Sequence, residues 1–234
     1  MFFSKNSDSN GGLFRFFKRS SQDQELLEIF ENKGFYSEEY VNAFLERHPR
    51  PTSDDHFTLC EIHTEMGKYE DARTELMAVR PGSILDAINN GQHAFCSIAL
   101  LMETGEYKKA ISAYHEHVKF LDTFMKNSVR SRIAGDYYSH AAVICALLGD
   151  EEKMDRYIRR MREWCDIFPK HRILLEVTQV KILFAKNKEE AGQALADCRQ
   201  TITDFPGFKY EWEREYFLKK LDRAENYQDA KDAI

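Results

Sequence analysis

The chain carries the same six-residue turn twice, as Gly67-Lys68-Tyr69-Glu70-Asp71-Ala72 and as Gly105-Glu106-Tyr107-Lys108-Lys109-Ala110, each time after an apolar run at helical spacing. No other feature constrains the fold as strongly. A Gly that follows such a run can end a helix in the left-handed conformation without steric cost. The Tyr then covers the hydrophobic layer, and the Ala three residues later lets the next helix approach closely. Each copy therefore reads as the bend of a helical hairpin. Recurrence at a spacing of a few tens of residues indicates units that bury their faces by stacking on one another. Such a scaffold presents a surface, which predicts binding and leaves the ligand open.

The remaining punctuation extends this reading. All five prolines (Pro49, Pro51, Pro81, Pro169, Pro206) fall between helix-patterned runs, where a missing N–H does no harm. Residues 1–20 read as a polar head, a Gly11-Gly12 hinge and a short basic amphipathic segment. Residues 21–53 read as a helical pair, 21–32 and 37–47, followed by a linker, with Ser37 opening the second helix. Residues 54–207 hold the hairpins: 54–66 with 69–79, 92–104 with 107–126, 132–148 with 151–168, and 172–185 with 188–205. A short helix begun by Ser83 is expected between the first two, broken by Asn89-Asn90-Gly91. The third turn, Gly149-Asp150-Glu151-Glu152-Lys153-Met154, is divergent, and the fourth, Lys186-Asn187, has no Gly. Within residues 208–234, an amphipathic helix at 210–224 is expected to cap the last hydrophobic face, because arrays need polar-faced ends. Nothing alternates as a strand does. The predicted class is all-α, an array of antiparallel helical hairpins (an α-solenoid) with N-terminal and C-terminal capping helices.

Composition narrows the function. With 234 residues, 43% of them hydrophobic, the chain can fold alone as one elongated array or as one to two compact domains. A net charge of −6 spread without blocks disfavours a general nucleic-acid binder, which needs clustered Lys and Arg; the one basic cluster of note is Arg156, Arg159, Arg160 and Arg162. The five cysteines (Cys60, Cys96, Cys145, Cys165, Cys198) are odd in number and fall inside apolar, helix-patterned stretches, as reduced, buried thiols do. No run of about 18 apolar residues is present to cross a membrane. The opening Met1–Asn10 lacks the apolar core of a secretory signal, so the cytoplasm is the expected location.

The doubled Gly-x-Tyr-x-x-Ala turn, with a Pro near the unit's end, resembles the tetratricopeptide-repeat family over residues 54–205. The small residue that the family places seven ahead of the turn Gly is Cys60 in the first unit, where the second has Ile98. Nine after the Gly, the large residue is Leu76 and then Tyr114. The turn glycines stand 38 (105 minus 67) and 44 (149 minus 105) residues apart, longer than the family's usual ~34. The resemblance implies a binding groove built by the first helix of each unit. Carried over, that groove is lined by Phe57, Glu61 and Thr64, then by Phe95, Ala99 and Met102, then by Ser139, Val143 and Ala146. The family's carboxylate clamp needs Lys and Asn where Phe57 and Glu61 stand, which argues against binding of a chaperone's C-terminal tail. An apolar-plus-acidic lining suits an apolar or basic segment of a protein or peptide partner, with Glu61 and Glu103 on the acidic rim. The alternative for Phe57 and Phe95 is that they are core.

Three further constellations bear on chemistry. His56, Cys60 and His63 share one helix face within reach of a single metal, but Cys60 occupies a packing position and no fourth ligand can be located, so no metal and no cofactor are expected. His115-Glu116-His117 puts its histidines on different faces, unlike a His-Glu-x-x-His site. Leu13, Phe14, Phe16 and Phe17 interleave with Arg15, Lys18 and Arg19, a pattern suited to weak contact with a membrane surface or a partner, and equally to a helix docked on its own domain. No phosphate loop, nucleophile elbow or Cys-x-x-Cys pair is present. The expected function is a non-catalytic, intracellular protein-interaction scaffold or adaptor. The runner-up is a regulator in which a peptide or small ligand tightens the superhelix; a metal-dependent enzyme built on His56, Cys60 and His63 comes third.

Overall fold

Capping chemistry sets the helix boundaries in the computed structural model, which describes residues 22–79, 87–127, 131–165, 169–228, 230–232 and 234. The Ser37 hydroxyl accepts from the Tyr40 N–H at 3.2 Å and starts α2 (Glu38–Arg47), behind α1 (Gln22–Lys33). At α3 (Ser53–Met66) the cap is reciprocal: the Asp55 carboxylate accepts from the Thr52 N–H at 2.8 Å while the Thr52 hydroxyl accepts from the Asp55 N–H at 3.3 Å. The chain continues as α4 (Tyr69–Ala78), α5 (Ala87–Glu103), α6 (Tyr107–Asn127), α7 (Ser131–Leu148), α8 (Glu151–Cys165), α9 (Lys170–Ala185), α10 (Ala191–Asp204) and α11 (Glu211–Asp222), and ends in a 3-10 turn (Arg223–Tyr227). No strand occurs among the described residues.

The two matching turns and the two divergent ones share one geometry. Gly67, Gly105 and Gly149 have φ of 77°, 73° and 71°, and Asn187 takes the same left-handed conformation at 51°. At each, one N–H returns three residues and the next returns five: Gly67 to Thr64 and Lys68 to His63, Gly105 to Met102 and Glu106 to Leu101, Gly149 to Ala146 and Asp150 to Cys145, Asn187 to Phe184 and Lys188 to Leu183. This paired closure satisfies the last carbonyls of the helix. Asn serves in the fourth turn because it tolerates positive φ better than any other non-Gly residue.

Consecutive helices pack in pairs, α3 on α4, α5 on α6, α7 on α8 and α9 on α10, and α3, α5, α7 and α9 also pack on one another in that order. Ala72 and Ala110 are completely buried at the starts of α4 and α6. Replacing either with Leu would force extra methylenes into a closed contact, with an expected loss of about 1–3 kcal/mol in urea unfolding; neutrality of both would refute the assigned close approach.

One sequence expectation is corrected and another extended. The break at Asn89-Asn90-Gly91 does not occur, since α5 runs through it from Ala87 to Glu103. A Gly inside a helix costs about 1 kcal/mol, less than burial of Phe95, Ile98 and Leu100 on the same helix returns. Nor does the last helix merely cover the final hairpin. It packs on α9 and α10, and its leading end also reaches the N-terminal pair, where the Trp212 ring lies 5.2 Å from Phe30 and 6.0 Å from Phe35. Gly34, at φ 78°, makes room, for a Cβ there would run into the Trp212 ring. The amphipathic stretch Leu13–Arg19 and the start of the helix expected at Ser83 lie outside the described residues. No described helix is long and apolar enough to cross a membrane.

Candidate functional site

The residues assigned to a groove converge on the face that α3, α5, α7 and α9 share, and most of them are covered there. Phe57, Thr64, Phe95, Met102, Ser139, Val143 and Ala146 are all buried, and Phe57, Phe95, Met102 and Val143 belong to the main hydrophobic core. The Ser139 hydroxyl is engaged with Thr178 at 2.7 Å, and Thr64 donates to the Cys60 carbonyl at 2.7 Å. Glu61 and Ala99 remain half-buried and, with Thr64 and Phe95, border a cleft holding about 20 Å³, the space of a single water molecule. The core alternative is therefore what the fold realises for Phe57 and Phe95.

The end of this face around Glu65, Glu103 and Asp136 is closed by α11 and the 3-10 turn. Lys220 reaches Glu65 at 2.5 Å and Asp136 at 3.1 Å. Arg223 donates to the Glu65 carboxylate at 3.2 Å, to Glu103 at 3.0 Å and to the Glu65 main-chain carbonyl at 2.5 Å. Lys181, on α9, lies 3.4 Å from Glu103, with both side chains 3% exposed. Tyr107 donates to the Asn226 carbonyl at 2.9 Å, fixing the 3-10 turn against the start of α6. Three carboxylates on α3, α5 and α7 thus meet three cations, one arriving on α11 and one on the 3-10 turn that follows it. Glu103, expected on an acidic rim, is instead buried inside this network, because α9 and the 3-10 turn cover it.

The electrostatics follow from this closure. Burial would raise the Glu103 carboxyl, but Lys181 and Arg223 outweigh it and hold the group well below the usual carboxylate range. Burial would lower Lys220 and Arg223, yet Asp136 and Glu65 for the first, and Glu65 and Glu103 for the second, hold both above their ordinary values. Lys181 is drawn down by burial despite Glu103. His140, beside them, is pulled from 6.5 to about 4 by burial, against the opposing field of Glu103.

His140 gives the site a pH signature. It is neutral in the fold and gains a proton more readily once unfolded, so its contribution is complete above pH 6.5 and is lost as pH falls towards 4. At about 1.4 kcal/mol per unit the loss reaches about 3 kcal/mol. Glu103 acts lower on the scale, its contribution being complete above the ordinary carboxylate range and lost progressively as pH falls from there to its depressed value. His63, His93 and His171 are lowered by burial as well and add to the slope, so urea unfolding between pH 7 and pH 5 should show a steeper loss in wild type than in His140→Gln, and equal slopes would contradict a neutral buried His140.

Of the two histidines considered for a metal, one is engaged, and His63 is buried with its Nδ1 lacking a hydrogen-bond partner. His56 Nδ1 contacts Glu75 at 2.6 Å, Cys60 is buried against Cys96, and no group of three candidate ligands occurs among the described residues. Sequence reasoning missed Glu65, Asp136, Lys181, Lys220 and Arg223. For Lys181 a signal existed, a lone charge inside the apolar run Val180-Lys181-Ile182-Leu183-Phe184; for the other four, nothing local marks them out. Compared with protein-family models, with curated proteins and with solved structures, the chain matches none.

Proposed function

We propose that this chain is a non-catalytic scaffold of the tetratricopeptide-repeat type, an array of helical hairpins capped by α11, whose shared face recognises a basic amphipathic helix from a partner protein. One observation carries the reading: the carboxylates of Glu65, Glu103 and Asp136, drawn from three successive hairpins, converge on the cations of a helix that enters from outside the row. Aligned acids over an apolar floor select Lys and Arg by charge and exclude acidic segments by repulsion. The half-buried Glu61 extends the acidic lining toward solvent. A cytoplasmic adaptor role fits this chemistry.

The test is affinity capture by the full chain, with quantitative mass spectrometry, at low and at raised salt. Partners bound through this face should carry a basic helix, weaken as salt screens the pairing, and be depleted by Glu61→Lys. Partners indifferent to both salt and Glu61→Lys would overturn the reading.

A further inference from the structure

Resting on that reading, we propose that α11 and the 3-10 turn form a displaceable latch, which undocks as a unit so that the uncovered face takes a partner helix with the same pattern, a Lys, an Arg three residues on and a Tyr seven on. The pattern is that of Lys220, Arg223 and Tyr227.

Charge defines the occupant. Undocking withdraws Lys220 from Glu65 and Asp136 and Arg223 from Glu65 and Glu103, so a replacement has to bring two cations at the same spacing. Tyr227 adds a buried ring 5.7 Å from Tyr107, with the Lys181 ammonium 5.4 Å from its centroid. These partners are distant in sequence, Lys220 from Glu65 by 155 residues and Arg223 from Glu103 by 120. A helix from another molecule can therefore make the same contacts.

The attachment is also less complete than that of a core helix. On the side facing α1 and α3, a cleft of about 290 Å³ lined by Lys33, Met66, Gly67, Lys219 and Asp222 opens beside the stacked rings of Tyr36 and Tyr216, 4.5 Å apart. The indole N–H of Trp212 and the Nε of Arg214 are buried without hydrogen bonds, and both lie on α11. Orphaned donors and buried ion pairs each carry a desolvation cost that opening relieves. Phe217, Leu221 and Tyr227 oppose opening by burying apolar surface, so the closed form is the resting state and the open one a minor population. The linker from Phe205 to Tyr210, with Pro206 and Gly207 exposed, separates the latch from α10.

Amide exchange of the full, unaltered chain tests the opening. Residues 211–227 should exchange at least a hundredfold faster than the cores of α7 and α9, as one cooperative unit. Exchange of all three at a common rate would overturn the latch while leaving the acidic-face reading standing. The second arm uses a fluorescent peptide of residues 208–232 added to the full chain. It should bind the Lys220→Gln, Arg223→Gln chain at least tenfold more tightly than wild type, and a peptide carrying Lys220→Glu and Arg223→Glu should not bind. A latch that opens while the peptide binds neither chain, or binds regardless of its charges, would overturn recognition by the acidic face. Should the double variant fail to fold, exchange in the unaltered chain still decides whether the latch opens.

Discussion

Replacing Phe57 and Met102 together with Ala should leave most of the protein unfolded at room temperature. Both side chains are buried in the main core, at 4% and 1% exposure, on neighbouring helices α3 and α5. Large-to-small changes at such sites lose the transfer free energy of the deleted atoms and leave a cavity, about 3–5 kcal/mol for the Phe and about 2–5 kcal/mol for the Met. The sum is comparable to the entire stability of an ordinary domain, about 5–15 kcal/mol. Circular dichroism and urea titration would read the loss directly. Glu61→Gln, at the half-buried edge of the same face, should stay within about 0.5 kcal/mol of wild type. If the double variant lost less than about 1 kcal/mol, both residues would have to belong to an open binding surface, and their place in the core would be wrong.

The contrast between these sites shows what the sequence can and cannot convey. Helix pairing was legible because it rests on local chemistry: Gly67 and Gly105 end their helices with φ near 75°, and Ala72 and Ala110 accept close contact. Asn187 was harder to read, since Asn takes the left-handed conformation less freely than Gly and carries a weaker signal, though its hydrogen bonds match those of the glycines. At Asn89-Asn90-Gly91 local propensity pointed to a break, and burial along α5 overrode it. The groove reading took Phe57, Phe95 and Met102 to be open, whereas all three are buried in the core. Nothing near Glu65 or Glu103 in sequence announces that a helix and turn more than a hundred residues away reach these carboxylates. Lys219 and Lys220 make the same point at closer range, being adjacent and chemically identical in sequence, one exposed and the other buried between Glu65 and Asp136.

Glu103→Ala should be the most costly single change within the ion network. Lys181 loses its nearest carboxylate, at 3.4 Å, and stays 2% exposed, while Arg223 keeps Glu65. Breaking a buried pair from one side leaves an uncompensated charge, with an expected loss of about 3–5 kcal/mol. The buried ammonium has one route of relief, loss of its proton. Burial already favours the neutral form of Lys181 in the fold, and without Glu103 that preference strengthens, so the unfolded chain binds the extra proton. Stability of the variant must then rise with pH between the depressed folded value and about 10.4, and its deficit should be smaller at pH 9 than at pH 7. Replacing both members with apolar residues of similar volume, Glu103→Leu with Lys181→Met, removes the charge along with its partner and should cost far less than Glu103→Ala alone. Urea unfolding of the three chains at both pH values separates the cases. A single variant within about 1 kcal/mol of wild type would show that Lys181 reaches water, and a double variant as damaged as Glu103→Ala would show that removing the stranded charge brings no relief.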